Sequence, residues 1–256
     1  MQNPKIKRVV RLREATARRK SHRFLIDGAA EIRLAHRCGI ELETVFFDAT
    51  DSADFSPAAW PELGPRWQPV AGKVLSRMSY GQREHCPLAV AVTPRMELGR
   101  LSLQPGSVLL VLDRTEKPGN LGACLRTAAA CGVDAVVLTD PVCELFNPNA
   151  IRASRGAIFS LPIAVSNRRE LQDLCQRVGI PLLAARVDGS GDLWQQDFRS
   201  GAALVFGSEA HGLGAEWQEA VEVAFKIPMR GVTDSLNLSI STAVTLYEVY
   251  RQRSTL

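Results

Sequence analysis

Three short segments of this chain join strand-like runs to residues that could do chemistry. The first runs from Asp113 to Arg126 and contains Gly119, Asn120, Gly122 and Arg126. It follows an apolar run and opens a helical pattern. Asn120 suits a helix N-cap, because its side chain accepts from an orphan backbone N–H. Gly119 and Gly122 permit a tight turn and close backbone approach. Arg126 sits among Leu121, Ala123, Cys124, Leu125 and Ala128. Such an Arg either snorkels over apolar neighbours or aims its guanidinium at a phosphate or a reacting oxygen. Spacing alone leaves the two even. The segment lacks G-x-G-x-x-G and any Gly-Lys-Ser/Thr, so neither a dinucleotide fingerprint nor a P-loop is present. The second segment, Leu204 to Gly214, places Glu209 among Gly207, Gly212 and Gly214 after a buried strand. It reads as a structural turn with a solvated Glu209 or as a loop closing on a ligand. His211 could serve as a general base, but no partnered acid or nucleophile is visible, so it is taken as an incidental loop residue. The third, Ile227 to Ser241, ends a strand and starts a long helix. Ser235 and Asn237 both suit capping there, which leaves one spare for a ligand.

The elements that must carry these segments follow from apolar patterning. Residues 107–112 (SVLLVL) form a continuous apolar run, as expected for a parallel strand buried on both faces. Strands at 135–139, 161–165, 182–185 and 202–206 alternate with helices at 121–131 and 168–178, and a helix from 237 to 251 closes the chain. That alternation predicts an α/β domain with a mainly parallel sheet. Open parallel sheets bind ligands beyond the carboxyl ends of their strands, where all three segments lie. Upstream, 24–26 and 45–47 read as strands flanking a helix at 30–38, and 88–93 as a β-branched strand. With 256 residues, two domains are expected: 1–95, a linker at 96–106 rich in Pro and Gly, and 107–256.

The formal net charge of +4 is mild, but it is unevenly spread. Residues 1–23 hold nine Lys or Arg against Glu14 alone, a balance of +8 that leaves −4 on the rest. This arm, with an amphipathic helix expected over 3–20, points to an anionic partner. Arg8, Arg11, Arg18, Arg19 and Arg23 are its candidate phosphate contacts. The six cysteines show no C-x-x-C pair and read as reduced thiols, Cys124 and Cys131 as core residues, and no metal is expected. No apolar run approaches about eighteen residues and no h-region follows the basic N-terminus, so a cytoplasmic protein with no membrane partner is expected.

Taken together, the three segments resemble the signature motifs of the SpoU (TrmH-type) RNA ribose 2'-O-methyltransferases, in order and on the expected strand–loop–helix context. The first motif corresponds to Asn120, Arg126, Thr127 and Ala128. The second corresponds to Gly207, Glu209 and Gly212, and the third to Ile227-Pro228-Met229 followed by Ser235-Leu236-Asn237-Leu238-Ser239. Arg152 to Ala157 resembles the family loop before its fourth strand, and the first ninety or so residues resemble the small ribosomal-protein-like α/β RNA-binding domain that many members carry. Asp27, where the family often has Glu, and Pro87, where it favours Gly, are mild departures away from the methylation site.

The resemblance implies a trefoil-knotted α/β catalytic domain, S-adenosylmethionine as cofactor and a homodimer. It implies backbone contacts to the cofactor at Gly207, Ile227 and Leu236. It also implies Arg126 as general base or as stabiliser of the forming alkoxide, with Asn120, Glu209, Ser235 and Asn237 positioning it, the ribose and the cofactor. Ribosomal RNA is the first expectation for substrate and transfer RNA the second. A non-catalytic RNA-binding protein and a base-nitrogen methyltransferase are the alternatives from other classes; the intact set of Asn120, Arg126, Glu209, Ser235 and Asn237 weighs against the first, and the Asn120/Arg126 pair against the second.

Overall fold

The computed structural model describes residues 3–50, 55–80 and 86–254. The chain forms two compact units. The first takes residues up to Arg95 together with Glu144–Ser160; the second takes Met96–Cys143 and everything from Leu161 onward.

The first unit begins with α1 (Pro4–Arg11) and α2 (Ala15–Ser21), followed by β1 (Arg23–Asp27), α3 (Ala29–Arg37), β2 (Leu42–Asp48), β3 (Trp67–Val70), α4 (Gly72–Met78) and β4 (Leu88–Val92). Its sheet has the order β1-β4-β2-β3, antiparallel except for the β2/β3 pair. Asn3 caps α1 by accepting from the Lys5 amide at 2.9 Å, and Pro4 fills the first helical position, where a missing N–H costs nothing. Ile6 and Val9, three apart, turn inward with Leu12 onto Leu25, Phe46, Leu75, Met78 and Leu88. Lys7, Arg8 and Arg11 stay exposed on the opposite face.

The single helix expected over 3–20 is two helices. The break at residues 12–14 is held by Arg18, whose Nη1 donates to the carbonyls of Leu12 and Arg13, each at 2.8 Å. Arg18 is 2% exposed and its Nη2 reaches Glu144 at 2.6 Å.

The second unit contains β5 (Val108–Asp113), α5 (Pro118–Cys131) and β6 (Ala135–Thr139); after α6 (Pro148–Ser154) of the first unit it resumes with β7 (Ile163–Ser166), α7 (Arg168–Val178), β8 (Leu182–Ala185), the two-residue β9 (Gly191–Asp192), β10 (Ala202–Phe206), β11 (Val223–Lys226) and α8 (Leu238–Ser254). The strand order is β7-β6-β5-β10-β8-β11-β9 and every pair is parallel. Every residue of β5, β6 and β10 is buried, as expected for strands covered on both faces.

By compactness, residues 144–160 group with the first unit, which the expected division at 95 and 107 does not foresee: Phe146 stacks on Phe24 at 4.2 Å, Phe159 lies at 6.2 Å from the same ring, and Asn149 and Arg152 donate to Tyr80. Phe24 on β1 would otherwise present an uncovered aromatic face, which local periodicity does not reveal. Residues 96–106 are no free linker either. Val165 donates to the Met96 carbonyl at 2.8 Å, and Leu98, Leu101 and Leu103 pack on the second unit's core.

Candidate active site

The three segments emerge from the carboxyl ends of β5, β10 and β11, in the sheet where only β8 separates β10 from β11. α5 starts earlier than its sequence suggests, at Pro118 with Lys117 before it. Asn120 is therefore not the N-cap. It stands in the first turn with its side chain free to look outward, and its Nδ2 donates to Glu209 Oε1 at 2.6 Å. On its other side, Asn237 Nδ2 donates to Asn120 Oδ1 at 3.3 Å. Asn237 also caps α8, accepting from the Ser239 amide at 2.9 Å and the Ser239 hydroxyl at 2.7 Å. One hydrogen-bonded row, Asn237–Asn120–Glu209, thus ties together residues 89 and 117 positions apart.

Glu209 Oε2 is buried and has no hydrogen-bond partner among the described residues. A buried acceptor left unpaired costs about 1–3 kcal/mol, more when charged.

The loop carrying Glu209 closes on itself. Ser208 and Gly212 exchange backbone hydrogen bonds at 3.2 and 3.0 Å, and a Cβ on Gly207 would lie 2.1 Å from the Gly212 carbonyl carbon. Gly207 is required by that closure, and Gly212 by its φ of +63°. His211 contributes its amide to Ser208 Oγ at 3.1 Å, in keeping with an incidental loop residue.

Arg126 and Ser235 are not joined to this row. Arg126 is exposed and makes no hydrogen bond or ion pair with the described residues. It lies about 1.7 turns along α5 from Asn120, hence roughly 120° away around the axis. Ser235 is exposed in the loop that leads to α8. Ile227 and Leu236 are half-buried at the two ends of that loop.

Sequence reasoning passed over the loop after β8. Arg186 donates to the Leu213 carbonyl at 3.3 Å through its side chain and to Phe225 through its amide at 2.9 Å. A Cβ on Gly189 would fall 2.4 Å from the Phe225 carbonyl carbon. Asp188 holds Arg186 in place at 2.8 Å, and that hydrogen bond draws the Asp188 carboxyl below its ordinary range. The only available signal was a Gly three residues after an Arg at a strand end. The ends of β8, β10 and β11 are thus laced together by hydrogen bonds from Arg186. A nucleoside bearing a charged amino-acid tail fits such a site: backbone groups for the polar edges, apolar side chains for the ring. Among the described residues, no cluster of three or more His, Cys, Asp or Glu could hold a metal.

The arm's basic residues divide in two. Arg8, Arg11 and Arg19 are exposed. Arg18, expected to meet phosphate, is buried on Glu144 and two carbonyls and cannot do so without unmaking the fold. Arg23 is half-buried and bonded to Glu43 at 2.7 Å, which raises its pKa. No helix among the described residues is long and apolar enough to cross a membrane.

Comparison with known proteins gives a consistent picture. The family described as SpoU rRNA Methylase matches residues 107–247, and an MRM3-like substrate binding domain matches residues 3–85. The chain is 30% identical to the 23S rRNA (adenosine(1067)-2'-O)-methyltransferase of Streptomyces azureus, over 96% of this chain and 93% of that protein. It is 42% identical to the 23S rRNA (guanosine-2'-O-)-methyltransferase RlmB of Xanthomonas axonopodis pv. citri, over 57% of this chain and 59% of that one. Its structure is similar to that of the SpoU methyltransferase AviRb from Streptomyces viridochromogenes in complex with AdoMet: TM-score 0.89 and 26% identity, covering 99% of both chains.

Proposed function

Because the chain belongs to the SpoU rRNA methylase family, we propose that it methylates a ribose 2'-hydroxyl of ribosomal RNA at a site organised by Asn120, Glu209 and Asn237. It is an S-adenosylmethionine-dependent RNA 2'-O-methyltransferase. The observation that carries the site assignment is the hydrogen-bonded row Asn237–Asn120–Glu209, which joins all three motif segments and leaves Glu209 Oε2 buried without a donor.

S-adenosylmethionine supplies a methyl group on a positively charged sulfur; the S–CH3 bond breaks as the O–CH3 bond forms. The chain's own work is to hold the ribose in line and handle the hydroxyl proton. A ribose hydroxyl is a weak nucleophile while it keeps that proton. Gly207, Ile227 and Leu236 would hold the cofactor through backbone and apolar contacts. Glu209 Oε2 would accept from the arriving nucleotide. Asn120 keeps Glu209 oriented, and Ser235 would position the incoming ribose. A guanidinium stays protonated in proteins. We therefore assign Arg126 to stabilising the developing alkoxide and steering the adjacent RNA phosphate, with the hydroxyl proton passing to that phosphate or to water, and not to base catalysis. The pH–rate profiles of wild type and Arg126→Lys test this. Parallel profiles with a lowered plateau are expected; a titration that vanishes in the variant would restore the base assignment.

We further propose a homodimer in the cytoplasm, with the knotted topology that the family resemblance implies. Ile240, Tyr247 and Tyr250 are each about half exposed along one side of α8, an apolar stripe of the kind that copies of a chain cover. The roughly 120° between Asn120 and Arg126 supports a site completed by Arg126 of a second copy. A monomeric mass at micromolar concentration would refute the dimer. The main test is transfer of labelled methyl from S-adenosylmethionine to ribosomal RNA, followed by mapping of nuclease-resistant linkages. Label in a 2'-O-methyl nucleotide of ribosomal RNA is expected. Label only in transfer RNA would move the substrate, label on a base would refute ribose chemistry, and no label would leave an RNA-binding protein.

A further inference from the structure

Six of the nine basic residues of the arm do two different jobs in the first unit. Arg13 folds back onto α4, where its guanidinium donates to the carbonyls of Arg77, Met78 and Ser79. Those are the orphan carbonyls at a helix C-terminus, where a cation is doubly favoured. Arg18 holds the α1–α2 break, and Lys5 bonds Gln68 at 3.3 Å above the Phe46 ring. These three pin α1 against the sheet and against α4.

The pinning creates a concave groove between α1 and α4, lined by Pro4, Lys7, Arg8, Val10, Arg11 and Arg77. Four of its six lining residues are cations, all exposed, and none forms an ion pair with the described residues. Among the described residues, no acidic residue lines it. Gathering four like charges on a rigid frame is unfavourable unless an anion meets them. Val10 and Pro4 add an apolar wall beside the cations, which suits a ribose or base better than a bare inorganic ion. A membrane surface is disfavoured, because the apolar residues of α1 that would have to insert, Ile6 and Val9, are buried in the core.

We propose that this groove grips the phosphodiester backbone of the RNA substrate, with Arg77 of α4 acting beside Lys7, Arg8 and Arg11. The inference rests on the RNA methyltransferase function above and assigns it a second contact, in the other unit from the methyl-transfer site. Arg77 lies far from the basic arm in sequence and reaches the groove only because Arg13 clamps the end of α4.

The test uses the full chain and a fluorescein-labelled oligouridylate, followed by anisotropy over a range of salt. For Arg8→Ala/Arg77→Ala, the slope of log affinity on log salt should fall by about 0.7 per cation removed, with roughly a tenfold weakening at moderate salt. Arg77→Glu alone should weaken binding at least as much. Arg19→Ala/Lys20→Ala removes two exposed cations of α2 outside the groove and should cost less than half of that effect on a logarithmic scale. Cofactor affinity by calorimetry should not move in any of them. Groove variants that bind like wild type, or that lose no more than the α2 pair, overturn the proposal. So does a loss confined to phosphatidylserine vesicles with RNA binding intact. The methyl-transfer function is judged separately, on wild type with ribosomal RNA. If wild type methylates nothing while the groove variants lose oligouridylate, the groove stands and that function falls. If wild type methylates and the variants keep both affinity and KM, the groove falls and the function stands.

Discussion

Replacing Glu209 by Gln should raise stability and lower activity, a pairing of signs that few structural residues give. Glu209 Oε1 accepts from Asn120 at 2.6 Å, whereas Oε2 is buried and unpartnered. Gln keeps an oxygen for Asn120 but removes the charge. An unsatisfied buried acceptor costs about 1–3 kcal/mol, more when ionised. Gln in turn buries an amide N–H without an acceptor, so the net gain lies near the low end, about 1 kcal/mol. In a chain of this size that corresponds to a rise in Tm of roughly 2–4 °C. The bond from Asn120 keeps its oxygen acceptor, and the site loses an anionic acceptor at Oε2. A hydrogen bond to a charged group contributes about 1.5–3 kcal/mol, so kcat/KM should fall roughly 10- to 100-fold. Differential scanning calorimetry without ligands and single-turnover methyl transfer measure the two halves. A variant less stable than wild type, or one with unchanged kcat/KM, would refute the assignment of Glu209 Oε2 as an acceptor held open for the reaction.

Three further outcomes follow from the packing. Arg18→Met removes one side of a buried pair and uncovers two carbonyls, so it should destabilise the first unit by about 3–5 kcal/mol in urea unfolding while cofactor affinity is unchanged; a loss below 1 kcal/mol (roughly that of an exposed pair) would contradict the burial. Gly207→Ala puts a methyl 2.1 Å from the Gly212 carbonyl carbon, and the loop must open to admit it. S-adenosylmethionine affinity by calorimetry should drop at least about tenfold, the equivalent of 1.4 kcal/mol, and an unchanged affinity would separate that loop from the cofactor. Burial pushes the Cys124 and Cys175 thiols up to about 12, so at pH 8 iodoacetamide should label exposed Cys38 and spare both until the chain unfolds. Because the folded thiols keep protons that the unfolded chain releases from about pH 9, stability should fall as pH rises from about 9 toward 12. Stability rising over that interval would show that other groups dominate.

The sequence by itself determined the parallel α/β domain, because fully buried strands leave unbroken apolar runs such as 107–112 and helices punctuated by glycine stand between them. The resemblance of the three strand-end segments to one family's motifs also implied that Asn120, Glu209 and Asn237 share a site, and the structure joins the three by hydrogen bonds. The sequence could not determine what each side chain touches. Asn120 read as an N-cap until the start of α5 at Pro118 turned it toward Glu209. Arg18 read as a phosphate contact, one cation among nine, until a residue 126 positions away buried it. Residues 144–160 read as part of the catalytic domain, because only the third dimension puts Phe146 on Phe24. In each case local propensity names an element or a charge. Its partner comes from a distant part of the chain, and whether a polar group is solvated, capping or buried depends on that partner. Tertiary structure thereby sorts the basic arm into three residues that build a groove and three that line it, and adds Arg77 as a fourth.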